Sequence, residues 1–173
     1  RNFSGKLRIL IEGNSLDHYK NVDESFRILE EFDRTGIEIW YVSFAGEPKS
    51  WYSADRFFKK LSQKKMADLY RASHILLKSS LLESFSYPPI EMMSTGGIAI
   101  VASNDGNAEY LRDRENALLY QPGDIEKARG LIKEVAVDVD LRQHLVQNGI
   151  RTAQQRSWKN VEPKILDLYL GDN

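Results

Sequence analysis

The stretch His74-Ile75-Leu76-Leu77-Lys78-Ser79-Ser80-Leu81-Leu82-Glu83-Ser84-Phe85-Ser86-Tyr87-Pro88-Pro89-Ile90-Glu91-Met92-Met93-Ser94-Thr95-Gly96-Gly97-Ile98-Ala99-Ile100-Val101 decides the fold. His74 to Lys78 is a short apolar run, too brief for a helix and bounded by a polar loop, and it reads as a buried strand. Pro88 and Pro89 suit the first turn of a helix, where a backbone N–H has no intrahelical partner, and Gly96-Gly97 stops that helix. Ile98 to Val101 is then almost wholly apolar, as expected of a strand covered on both faces in a parallel sheet. The segment is therefore a strand–helix–strand unit.

The same alternation runs outward in both directions. On the N-terminal side, Leu7-Arg8-Ile9-Leu10-Ile11 reads as a strand ending near Gly13. Val22, Phe26 and Leu29 recur at i, i+4, i+7, which predicts an amphipathic helix through about Arg34, closed by Gly36. Ile37 to Phe44 is a second strand, Phe57-Phe58 a short third, and Met66 to Ala72 a helix. On the C-terminal side, a short helix follows Asp105, and Leu118-Leu119-Tyr120 is a last edge strand. Ile125, Ala128, Leu131, Ile132 and Val135 share one helical face, another helix starts at Leu141, and Val161, Ile165 and Leu168 mark a third. Such alternation predicts an α/β domain with a Rossmann-like, doubly wound parallel sheet.

Composition narrows the function classes. A chain of 173 residues with 42% hydrophobic and 28% charged residues is one ordinary globular domain. A net charge of -1 gives no electrostatic footprint for nucleic acid. The chain has no cysteine, which rules out disulfides and thiolate metal sites and fits a cytoplasmic home. No apolar run is long enough for a transmembrane helix, and no signal peptide is visible. The chain opens on Arg1, not Met, which reads as a piece of a longer protein. The most basic stretch carries Lys49, Arg56, Lys59, Lys60, Lys64 and Lys65. It reads first as a solvated surface and alternatively as a patch drawn to an anionic membrane face or a phosphorylated acceptor.

In open α/β sheets ligands bind beyond the carboxyl ends of the strands. The residues there are Gly13, Asn14 and Lys20 after the first strand; Ser79, Ser80 and Glu83 after the fourth; and Ser103, Asn104, Asp105, Gly106 and Glu109 after the fifth, all expected to face one crevice. Glu83 lies in a loop and Glu91 about one turn inside the following helix. Backbone amides of that loop and the positive end of the helix dipole make an anion site suited to a diphosphate, with the glutamates free to hold hydroxyls on either side. Glutamate near a helix N-terminus is also common simply because it complements the dipole. The histidines are scattered, with no pair at metal-ligand spacing, so no metal site is expected.

Glu83-Ser-Phe-Ser-Tyr-Pro-Pro-Ile-Glu91-Met-Met-Ser resembles the E-x7-E signature of glycosyltransferase family 4, the group 1 retaining glycosyltransferases of GT-B fold. Gly13 to Lys20 resembles the family's phosphate-binding loop. Met66 to Ile75 resembles the helix and strand leading to the signature, Ser103 to Glu109 the loop after it, and Ser157-Trp158 the C-terminal ending. Nearly the whole chain is covered, in the family's order. The resemblance implies that residues 1–173 are the C-terminal, nucleotide-sugar-binding half of a GT-B enzyme, with the last helices, about 141–170, packing toward an N-terminal half. It implies transfer of a sugar from a nucleoside diphosphate sugar to a glycan or lipid-linked acceptor, with retention of configuration and no metal or other cofactor. It places the enzyme in the cytoplasm or at the inner face of the membrane. Lys20 would neutralise the diphosphate, Glu83 would contact the transferred sugar near the reacting carbon, and Glu91 would bind the ribose. Gly13, Asn14, Ser84, Phe85, Ser86 and Tyr87 would line the donor, and the segment from Lys60 to Ser62 would lie near the base. Three positions depart from the pattern. Asn14 stands where an arginine is expected, Ser86 replaces a glycine, and Gly106-Asn107 replaces a glycine pair. Asn14 cannot supply the arginine's charge, which leaves open a non-catalytic nucleotide-sugar-binding or scaffolding module of a glycan-assembly protein. A third reading is a GT-B sugar epimerase.

Overall fold

The computed structural model describes Phe3 and residues 5–170, apart from the side chain of Lys164. Six parallel strands form one sheet: β1 (Leu7–Glu12), β2 (Ile37–Ser43), β3 (Arg56–Lys59), β4 (Ile75–Lys78), β5 (Ile98–Ala102) and β6 (Leu118–Tyr120). Their spatial order is β3-β2-β1-β4-β5-β6. The order reverses between β1 and β4, and that switch point opens a crevice at the carboxyl ends of those two strands. Register brings Leu7 beside Ile37, Ile9 beside Ile75 and Ile75 beside Ile98.

Among the described residues there are seven α-helices: α1 (Val22–Leu29), α2 (Gln63–Ala72), α3 (Tyr87–Ser94), α4 (Asp105–Ala108), α5 (Ile125–Val137), α6 (Val139–Gln155) and α7 (Trp158–Leu170). Successive strand residues point to opposite faces, so each strand feeds two cores. Ile9, Ile11, Ile39, Tyr41, Ile75, Leu77 and Ile100 meet α1 and α5 through Phe26, Leu29, Leu131 and Ile132. Leu10, Trp40, Val42 and Leu76 meet α2 and α3 through Leu69, Tyr70 and Met92. Helix α6 lies outside α3, and Gly149 permits that approach: a β-carbon there would stand 3.0 Å from Met93 Cγ. The doubly wound parallel sheet expected from the sequence is present.

Helix α1 ends at Leu29, short of the expected Arg34. The Asp33 carboxylate accepts hydrogen bonds from the Thr35 amide (2.9 Å) and the Thr35 hydroxyl (2.6 Å), and Gly36 N–H donates to the Asp33 carbonyl. Asp33 thus builds a tight turn into β2 and competes with further helix. Helix α2 begins three residues before Met66, capped by the Ser62 side chain. Of the six cations in the basic stretch, Lys49 pairs with Asp23, Arg56 with Glu38 and Lys59 with Glu47, which favours the solvated-surface reading there. Among the described residues no helix is long and apolar enough to cross a membrane.

Candidate functional site

At the switch point the loops after β1 and β4 are fastened together. Leu81 N–H donates to the Tyr19 carbonyl at 2.8 Å, and the Ser79 hydroxyl donates to the Asn21 carbonyl at 2.6 Å. Gly13 begins the first loop. A β-carbon there would meet Val22 Cγ2 at 2.8 Å, and Tyr41 donates its hydroxyl to the Gly13 carbonyl at 3.0 Å, so the chain turns directly over α1. A short 3-10 turn, His18–Lys20, capped by Asp17, then points Lys20 back over the crevice.

Lys20 Nζ stands 2.9 and 3.0 Å from the two carboxylate oxygens of Glu83. Lys78, at the end of β4, reaches the same carboxylate at 3.1 Å and Glu12, at the end of β1, at 2.7 Å. Two ammonium groups and two carboxylates form one chain across the switch point: Glu12, Lys78, Glu83, Lys20. Burial works to raise the Glu83 pKa, but the Lys78 charge and hydrogen bonds from Lys20 and Lys78 outweigh it, and the carboxyl is held below its ordinary range. Burial likewise works to lower the Lys78 pKa, but Glu12 and Glu83 together raise it, so the buried ammonium stays charged.

Glu91 projects from the second turn of α3 beside this chain. With Leu61, Met66, Tyr70, Tyr87 and Glu12 it lines a cleft of about 220 Å³, which adjoins a second of about 250 Å³ floored by Leu61, Met66, Ala67 and Tyr70. Tyr70 is buried beside Glu12 and Glu91, and burial with those two charges pushes its phenol far above the ordinary value. Lys20 thus contacts Glu83, while Glu91 walls a cleft that is also lined by Glu12, the other end of the same ion chain.

The Glu83–Glu91 connection is braced from behind. Asn104 and Asn107 cap α4 reciprocally, and Asn104 Nδ2 donates to the Ser80 carbonyl at 3.0 Å. Asn104 and Asn107 thus support the loop; Gly106, expected at the crevice, is buried beneath Glu83, and Glu109, also expected there, pairs instead with Arg156 at 2.6 Å. Phe85 packs with Tyr110 (ring centroids 5.2 Å) under the Arg156 guanidinium, and Tyr110 donates its hydroxyl to the Ser86 carbonyl. Ser86 adopts φ 54°, ψ 77°, the left-handed region that the pattern's glycine enters freely. Ser84 and Tyr87 remain exposed. Among the described residues, none of the backbone N–H groups of Ser84, Phe85, Ser86 and Tyr87 donates to another backbone group, so the loop that follows Glu83 carries donors without a backbone partner. Asn14 accepts from Leu16 N–H at 3.0 Å and shapes its own loop. No three His, Cys, Asp or Glu side chains gather closely enough to hold a metal ion among the described residues.

The sequence profile described as "Glycosyl transferases group 1" matches residues 2–152. The chain belongs to this family. A D-inositol 3-phosphate glycosyltransferase of Streptomyces coelicolor is 26% identical over 114 residues, which cover 66% of this chain and 25% of that protein. Sucrose-phosphate synthase from Thermosynechococcus elongatus superposes with a TM-score of 0.82 at 18% identity, over 99% of this chain and 46% of that one. Anabaena HepE, crystallised with UDP-glucose, gives 0.83 at 14% identity, over 98% and 50%. The match covers about half the length of these solved neighbours and about a quarter of the curated relative. Sequence reasoning singled out Lys20, Glu83 and Glu91 but passed over Glu12, Lys78, Tyr70 and Arg156. Lys78 looked like the polar end of an apolar strand, and only the adjacency of β1 and β4 pairs it with Glu12.

Proposed function

We propose that this domain binds the donor in a retaining, metal-independent glycosyltransferase, which moves a sugar from a nucleoside diphosphate sugar to a glycan or lipid-linked acceptor. The observation that carries the reading is the Lys20–Glu83 contact, joined through Lys78 to Glu12, which lines the cleft walled by Glu91. In this reading the diphosphate lies between the Lys20 ammonium and the free N–H groups of residues 84–87, at the positive end of α3. Glu91, beside Tyr70, accepts from the ribose hydroxyls, and the base enters the cleft over Leu61 and Met66. Glu83 faces the transferred sugar.

The chemical step breaks the anomeric carbon–oxygen bond, leaving positive charge on the sugar and negative charge on the departing diphosphate. Fixed cations and N–H dipoles at the phosphate favour that separation because they are oriented before the bond breaks. The acceptor and the remaining machinery come from an N-terminal half, and closure of the two halves keeps water from the donor. Exposed Leu166, Leu168, Tyr169 and Leu170 on α7 support a docking face for that half. The UDP-glucose held by HepE supports a nucleoside diphosphate sugar as the ligand class. The lack of cysteine supports a cytoplasmic site of action.

Turnover by the full-length protein tests this. Release of nucleoside diphosphate with transfer of the sugar, abolished by Glu83→Ala, supports an enzyme; donor binding without turnover favours the scaffolding module that Asn14 suggests. An epimerised sugar released with free nucleotide and no acceptor would instead identify an epimerase.

A further inference from the structure

Lys78 has no part in the donor contacts just described, yet it carries an ammonium into the interior of the sheet. It sits on central strand β4 and is 1% exposed, where an unpaired ammonium would not be tolerated. Two carboxylates compensate it, Glu12 at 2.7 Å and Glu83 at 3.1 Å. For stability alone, a well-packed apolar pair at positions 12 and 78 would serve as well or better. The arrangement makes sense through Glu83, whose carboxylate has two cations of unlike freedom. Lys20 is 28% exposed and lies at the mouth of the crevice, whereas Lys78 is enclosed behind it.

We propose that Lys78 is a positioning residue: anchored by Glu12, it keeps the Glu83 carboxylate paired and in place when Lys20 turns from it to the donor's diphosphate. This inference rests on the donor-binding reading above. Without Lys78, an arriving diphosphate would compete with Glu83 for one ammonium, and Glu83 would be left as a buried anion beside another anion. It would then take up a proton or keep Lys20 from the phosphate. With Lys78 in place, the carboxylate and the diphosphate each hold a cation. The ionisable groups facing Glu83 are Lys20 from the β1 loop, Lys78 from β4 with Glu12 behind it, and Tyr110 from the segment after α4.

The test follows the Glu83 side-chain carboxyl carbon by NMR through an acid titration of the chain. Wild type, Lys20→Met, Lys78→Met and Glu12→Gln/Lys78→Met are compared, the last keeping Glu12 from being stranded if Lys78→Met alone unfolds. Glu83 is expected to remain below the ordinary carboxylate range in Lys20→Met and to rise by about one unit or more when Lys78 is replaced. In a second arm, the tightest binder among UDP, GDP, ADP and dTDP is titrated into each protein. Lys78→Met should weaken it about tenfold, and adding Glu83→Gln should restore most of that loss, a recovery that a merely structural role would not produce. A Glu83 titration unmoved in the folded Lys78 variants, or moved only by Lys20→Met, overturns the inference. A wild-type chain that takes up none of the four nucleotides overturns the donor reading, while the titration arm still decides whether Lys78 holds Glu83.

Discussion

Gly106 lies directly beneath Glu83: a β-carbon at position 106 would stand 1.9 Å from the Glu83 carbonyl oxygen and 2.4 Å from its carbonyl carbon. The obstacle is backbone, so no side-chain rotation relieves it. Gly106→Ala should push the Glu83 loop out of the crevice. A loss of about 1–3 kcal/mol in urea unfolding is expected from the overpacking, with nucleotide affinity falling about tenfold or more because Glu83 and the adjoining N–H groups move together. Unchanged stability and affinity would mean that the loop yields freely.

Tyr70 connects the cleft to α2. Tyr70→Phe keeps the buried ring and removes the hydroxyl that sits beside the Glu91 and Glu12 charges. The expected result is a folded protein with nucleoside diphosphate affinity about 3- to 10-fold weaker, the scale of one hydrogen bond. The corresponding diphosphate without its nucleoside should be affected less, which calorimetry with pyrophosphate checks.

Ser86 holds a positive φ of 54°, and its hydroxyl is buried without a hydrogen-bond partner. Ser86→Gly relieves both conditions, although it also loosens the unfolded chain. A gain of about 0.5–1 kcal/mol is expected, raising Tm by about 1–4 °C in a domain of this size. Scanning calorimetry reads it directly.

The buried ion chain also sets a pH window. Glu83 has a folded pKa below its ordinary 4.5, so its contribution to stability is complete above that value and is lost as pH falls through the folded value. Lys78 has a folded pKa above its ordinary 10.5, so its contribution is complete below that value and is lost as pH rises through the folded value. Urea midpoints should therefore change little on account of these groups between about pH 5.5 and 9.5 and decline outside that range. The acid decline should be shallower in Glu83→Gln/Lys78→Met, measured against wild type over the same series.

Much of this arrangement was legible before the structure. The apolar runs at Leu7, Ile75 and Ile98 gave the strands because a parallel sheet buried on both faces needs continuous hydrophobic segments. Pro88-Pro89 marked the start of α3, and the spacing of Glu83 and Glu91 put both at its N-terminal end. What stayed hidden depends on contacts between distant segments. Lys78 and Glu12 are 66 positions apart and become partners only because β4 is laid beside β1. The Asn104–Asn107 cap and the Arg156–Glu109 pair likewise look like open polar residues until the neighbouring backbone is in place. Helix α1 stops short of Arg34 because the Asp33 turn takes over, a competition that the Val22, Phe26, Leu29 periodicity does not show; Phe32 still packs against the core from the segment after the helix.

The central claim is that Lys20 and the α3 loop hold a diphosphate while Glu91 holds the nucleoside. Isothermal titration of UDP, GDP, ADP and dTDP into the wild-type chain, Lys20→Ala and Glu91→Ala tests it most directly. One nucleotide should bind the wild type at one site, with affinity reduced about tenfold or more in each variant. Binding by none of the four, or equal binding in all three proteins, would contradict the account.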